Sequence, residues 1–104
     1  MARRRGARAG WMARRLELTP SFRAGMRRLG IESGTPVGQA LVATLRSVMT
    51  RELPGPLDYQ AAIPPTRTAW VRRVTGCNLW VFYTFDDAEV RAVALTGAPP
   101  VPLF

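Results

Sequence analysis

The sequence predicts an α+β domain, with a two-helix hairpin lying on one face of a small antiparallel sheet. Three observations lead there. Apolar residues recur at helical spacing in two successive stretches, each opened by Thr-Pro. Three short runs of branched and aromatic residues then follow in close succession. One further short run, alternating charged and apolar residues, precedes the helices.

That first run, Arg14-Arg15-Leu16-Glu17-Leu18-Thr19, has the period of a half-buried strand. Thr19-Pro20 opens a helix, since threonine caps free amides and proline loses no hydrogen bond at the first helical position. Phe22, Met26 and Leu29 form its apolar stripe, and Gly30 ends it. Thr35-Pro36 opens the second helix, which runs to about Arg51 on Val37, Ala40, Leu41, Leu45, Val48 and Met49. Thr44 falls inside that stripe, where its hydroxyl can bond a carbonyl one turn back.

Pro54-Gly55-Pro56 breaks the helix, and residues 53–67 read as a loop. The three strand runs are Trp70–Val74, Leu79–Phe85 and Glu89–Leu95, joined by turns at Thr75–Asn78 and Asp86-Asp87. Short connections make them an antiparallel meander. The expected order is therefore β-α-α-β-β-β, with Trp80 and Phe82 packed on the helices and the other sheet face open. A Pro-rich end follows.

The chain has 104 residues and a formal net charge of +8. Every positive charge is arginine, because lysine and histidine are both absent. These absences exclude Schiff-base chemistry, serine–histidine and cysteine–histidine pairs and imidazole metal ligands. One cysteine excludes a disulfide framework. Residues 1–51 carry eleven arginines against two acids, and residues 52–104 carry four against five. Guanidinium matches phosphate in bidentate pairs, so a phosphate-rich partner is expected. A coding bias that writes Arg for Lys is the plainer alternative.

Residues 1–13 read as a basic flexible arm, and Arg3, Arg4 and Arg5 within it are candidate RNA contacts. No apolar run reaches a bilayer span and no apolar stretch follows the basic start, so a cytoplasmic protein is expected. No cofactor or metal is expected. Asp86, Asp87 and Glu89 are too few ligands for a Ca²⁺ site and suit a turn better.

Several segments together resemble the RelE/ParE superfamily of bacterial toxins, over residues 14–104. Leu18-Thr19-Pro20-Ser21-Phe22 looks like that family's first strand and helix entry. Trp70-Val71-Arg72-Arg73-Val74 and Trp80-Val81-Phe82-Tyr83-Thr84-Phe85-Asp86-Asp87 resemble its basic strand, central strand and acidic turn, as in the YoeB branch. Leu95-Thr96-Gly97 and the terminal Leu103-Phe104 are similar to the close of the YafQ branch.

The resemblance implies the toxin of a type II toxin–antitoxin pair, a metal-independent endoribonuclease that cleaves mRNA in the ribosome. Its partners would be a cognate antitoxin, the ribosome and mRNA, without a membrane. In such cleavage the 2′-hydroxyl attacks the adjacent phosphate, and the reaction needs a proton acceptor, stabilising charge and a proton donor. The resemblance points to Arg73 first, then Arg91 and Tyr83, as catalytic residues on the open face. Arg27, Arg28, Arg67, Arg72 and Phe104 are expected to bind RNA. Leu79 and Leu95 stand where family members carry arginine. Two further readings follow from those apolar positions and the basic arm. One is a non-cleaving relative that uses Val71, Leu79, Val81, Val93 and Leu95 to hold an antitoxin or a topoisomerase. The other is an RNA- or ribosome-binding accessory protein.

Overall fold

A computed structural model describes residues 14–50, 52–63 and 67–102. It is an α+β fold with elements β1 (Arg15–Leu18), α1 (Pro20–Arg28), α2 (Pro36–Thr50), β2 (Tyr59–Ile63), β3 (Arg67–Arg73), β4 (Trp80–Phe85) and β5 (Glu89–Thr96). The sheet order is β1-β5-β4-β3-β2. β1 runs parallel to β5, and the remaining pairs are antiparallel. The sheet is therefore mixed, because the helical hairpin carries the chain across and returns β1 beside the last strand.

Local chemistry sets the helix boundaries. The Thr19 hydroxyl accepts from Phe22 N–H at 3.2 Å, and Thr35 accepts from Gly38 N–H at 3.0 Å. Gly30, at φ 66°, turns the chain after α1, in a left-handed conformation that glycine adopts without steric cost. Thr44 donates back to Ala40 O at 3.1 Å, which lets a hydroxyl sit inside the buried stripe of α2.

β2 is a strand within residues 53–67, where a loop is expected. It pairs with β3 from Tyr59↔Val71 to Ile63↔Arg67, so β3 also starts earlier than the Trp70 expected. The core on the helix side comprises Phe22, Leu41, Leu45, Val74, Leu79, Val81, Ala92 and Leu95. Trp80 and Phe82 lie on the opposite face with Ala61, Ala69 and Val71. This reverses the expected orientation of β4. Both of its faces are apolar, so alternation alone does not say which one meets the helices.

The register of β4 and β5 shifts between Phe82 and Tyr83. Val81 pairs with Leu95 and Thr84 with Arg91, which puts Leu95 on the helix face and Arg91 on the other. Strict alternation would have placed those two side chains together. Of the five residues expected to form an apolar docking patch, Leu79, Val81 and Leu95 are thus core. Only Val71 and Val93 share the helix-free face.

That face is not bare. Trp80 and Phe82 are 9% and 8% exposed. The chain leaves β5 at Thr96 and reaches β2, where Pro102 bridges Ala61 and Tyr59 Oη donates to Pro100 O at 2.8 Å. β4 and β3 lie between those points, so residues 97–102 carry the Pro-rich end from β5 to the far edge strand.

α1 lies close on β5. A Cβ at Gly25 would stand 2.9 Å from Leu95 O and 3.3 Å from Leu95 Cβ. A backbone carbonyl cannot swing aside as a side chain can. Gly25→Ala is expected to destabilise the fold by about 1–3 kcal/mol through overpacking, despite alanine's better helix propensity. A fall in the urea midpoint at unchanged m-value would show it.

Candidate functional site

The sequence-derived site residues fall into three separate environments. Tyr83 lies on the helix face and is 0% exposed. Arg91 and Arg73 share the opposite face but stand at its two ends. Arg73 pairs with Trp80 across β3–β4, and Arg91 pairs with Thr84 across β4–β5. Four residues along the strand and two strand spacings across separate them by roughly 16 Å. Arg73 is held at the Cys77–Asn78 turn and Arg91 at Glu17 and Glu89, so the two guanidinium groups are turned to opposite ends of the face. The expected grouping of Arg73, Arg91 and Tyr83 does not form.

Tyr83 belongs to a polar cluster under α2. Its hydroxyl donates to Asp58 Oδ2. Arg72 binds the same carboxylate through Nη2 at 2.7 Å and Nε at 2.9 Å, and its Nη1 donates to Ser47 Oγ at 2.8 Å. Gly55 N–H also donates to Asp58 Oδ2, at 2.8 Å. The Asp58 side chain is 3% exposed and that of Arg72 16%. Arg72 is thus committed within the protein, a correction to its expected role in RNA binding.

The electrostatics follow from this geometry. Burial by itself would push the Asp58 carboxyl upward. Hydrogen bonds from Arg72, Tyr83 and Gly55 outweigh that and hold it below the ordinary carboxylate range. Burial would likewise lower Arg72, but Asp58 raises it. Burial and the Asp58 carboxylate both push the Tyr83 phenol upward, so at neutral pH it stays protonated and serves as a donor. A proton-transfer role for Tyr83 is disfavoured by its burial and by this shift.

Arg91 is held on the sheet surface. Its Nε lies 2.8 Å from Glu17 Oε1 and its Nη2 3.7 Å from Glu89 Oε1. Glu17 and Glu89 together offset Arg91 and the neighbouring Arg15, so little positive field is left for a phosphate. Arg73 is different. It is exposed, lies over the Trp80 ring at 5.6 Å, and is steadied by Cys77 O at 3.2 Å and Asn78 Oδ1 at 3.4 Å. Its partners are neutral, so it keeps its full charge and has a fixed direction.

Arg67 is exposed at the start of β3, and Arg27 and Arg28 are exposed at the end of α1. Arg3, Arg4, Arg5 and Phe104 lie outside the described residues. Beside Arg73 opens a cleft of about 470 Å³, lined by Ser47, Glu52, Leu57, Asp58, Tyr59 and Arg73 among others. Asp58 was not singled out from the sequence. Its signal was indirect: Arg72 alternates onto the face of Trp70 and Val74, and an arginine buried there requires a carboxylate.

Asp86 shapes the β4–β5 turn, where Oδ1 accepts from Ala88 and Glu89 N–H, both at 2.8 Å. Those bonds lower its pKa. No cluster of three or more metal-ligating side chains occurs among the described residues. No helix among them is long and apolar enough to cross a membrane. No family model, curated protein or solved structure matches the chain.

Two outcomes are expected. Arg72→Met, which strands the buried Asp58 charge, should cost about 3–5 kcal/mol of unfolding free energy. Adding Asp58→Asn should recover part of that loss, giving a coupling that a double-mutant cycle in urea would measure. The second concerns acid. Because the Asp58 pKa is lowered by folding, its contribution is complete above the unfolded-state pKa of about 3.9 and is lost as pH falls below it. Unfolding midpoints measured across that range should fall in the wild type and fall less in Asp58→Asn, with the remaining slope carried partly by Asp86.

Proposed function

We propose that this chain is the toxin of a RelE/ParE-type toxin–antitoxin pair, acting in the cytoplasm on mRNA held by the ribosome. The observation that carries this reading is Arg73, an exposed and oriented guanidinium on the sheet face opposite the helices. The segment order supports it as well: a strand, a helical hairpin and a meander whose basic strand precedes a central apolar strand and an acidic turn.

In this reading Arg73 binds the scissile phosphate and stabilises the charge that builds as the 2′-hydroxyl attacks. The stacked Trp80 ring and the two hydrogen bonds hold the guanidinium in place, so little ordering remains when RNA arrives. Its hydrogen-bond partners are a carbonyl and an amide, and neither accepts a proton near neutral pH. The hydroxyl proton therefore leaves to water or to the ribosome as the 2′-oxygen bonds to phosphorus. The bond from phosphorus to the 5′-oxygen breaks, leaving a 2′,3′-cyclic phosphate, and the 5′-oxygen takes a proton from water or the ribosome. The protein contributes position and charge. The cognate antitoxin is expected to cover Arg73.

A second reading has a specific observation behind it. Tyr83 is sealed in the core and Arg91 is offset by Glu17 and Glu89, so two of the three expected catalytic groups are engaged inside the protein. This favours a non-cleaving protein that acts by holding a partner, on a surface other than Leu79, Val81 and Leu95, which are core.

Purified protein mixed with programmed ribosomes should cut mRNA, as read by primer extension. Arg73→Ala should lower the cleavage rate by about 10²–10³-fold, the usual cost of removing one such charge donor. Arg73→Lys should recover part of it. Unchanged cleavage in Arg73→Ala removes Arg73 from the mechanism, and growth arrest without cleavage favours the protein-binding reading.

A further inference from the structure

The arginines are not treated alike by the fold. On the sheet, Arg15 pairs with Glu89, Arg91 with Glu17 and Glu89, and Arg72 with Asp58, while Arg67 and Arg73, at the two ends of β3, have no carboxylate among the described residues. On α1, Arg23, Arg27 and Arg28 are all exposed, and none of the three pairs with a carboxylate among the described residues. The helix itself contains no acid.

Arg27 and Arg28 have a local explanation, since cations in a last turn suit the helix dipole. Arg23 has none. It is the fourth helical residue, close to the positive end of the dipole, and the first turn holds no acid to offset it. Two of the side chains are also tethered. Arg23 Nε donates to Leu18 O at 3.3 Å, and Arg28 Nη2 to Leu95 O at 3.4 Å. Arg23 and Arg27 are one turn apart on the exposed side, about 6 Å between their Cβ atoms. The result is an uncompensated, partly ordered row of guanidinium groups. A polyanion with closely spaced charges fits such a row.

We propose that the exposed face of α1, with Arg23, Arg27 and Arg28, docks the phosphate backbone of structured RNA. The proposal rests on the ribosomal reading for its choice of RNA over other polyanions. This surface is on the helix side of the sheet and Arg73 is on the other, so docking and phosphate attack use separate parts of the molecule. Binding here is by charge and shape and carries no base specificity.

The test is binding of the full chain to a fluorescein-labelled RNA stem-loop, followed by anisotropy between about 50 and 200 mM salt. Two variants of equal charge are compared, Arg23→Gln/Arg27→Gln on α1 and Arg15→Gln/Arg91→Gln on the sheet. All four side chains are exposed, and circular dichroism checks that both variants fold. The α1 variant should lower the slope of log affinity against log salt by roughly 1.5 to 2, and the sheet variant should change it little. An equal fall in both variants would mean that only net charge matters, and would overturn the proposal. So would an unchanged slope in the α1 variant. Loss of binding to phosphatidylglycerol vesicles in the α1 variant, with RNA binding intact, would assign the face to membranes instead. The assay contains no ribosome and no cleavage step, so it can fail or succeed independently of the Arg73 mechanism.

Discussion

A carboxylate removed from water has to be matched, and the matching of Asp58 organises one whole side of this protein. The residue follows the turn that begins at Gly55 and leads into β2. Its charge is met by Arg72 from β3, by the Tyr83 hydroxyl from β4 and by the Gly55 amide from its own turn. Arg72 extends the network to Ser47 on α2. Four elements of the chain thus converge on one ion pair. Such a pair adds little net stability over an apolar substitute, but breaking it is costly. It acts chiefly to specify arrangement: the turn, the sheet and the second helix have to meet in one way for the charges to be satisfied.

The same economy of acids shapes the surface. The chain has seven carboxylates for fifteen arginines. Asp58, Glu17 and Glu89 are placed against sheet arginines, and Asp86 closes a turn. The α1 arginines, Arg67 and Arg73 have no carboxylate partner among the described residues. Among the described residues, positive charge without a matching acid therefore lies on the exposed face of α1 and at the two ends of β3. The arginine row of α1 and the oriented guanidinium of Arg73 thus stand on opposite faces of the sheet.

Much of this architecture was legible in the residues, for identifiable reasons. Both helices announce themselves by Thr-Pro caps and long apolar stripes, and β4 and β5 by dense branched and aromatic residues. β2 was hidden because Tyr59-Gln60-Ala61-Ala62-Ile63 is short, alanine-rich and flanked by prolines. Its meaning comes from pairing with β3, which no local pattern reports. The faces of β4 were inverted because Leu79, Val81 and Tyr83 alternate with Trp80 and Phe82, and both sets are apolar. The bulge opposite Phe82/Tyr83 then broke the parity that had placed Arg91 with Leu95. Of the site, Arg73 was readable from its strand. The confinement of Arg72 and Tyr83 was not, because it depends on Asp58, which lies far from both in sequence.

The central claim is that Arg73 meets an RNA phosphate while α1 faces structured RNA. A structure of the protein bound to an mRNA-programmed ribosome tests it most directly. The account predicts the Arg73 guanidinium within about 3 Å of an mRNA phosphate oxygen, at hydrogen-bond distance, with Arg23 and Arg27 against ribosomal RNA. Particles in which the Arg73 face packs on a protein, or in which α1 points to solvent, would contradict it.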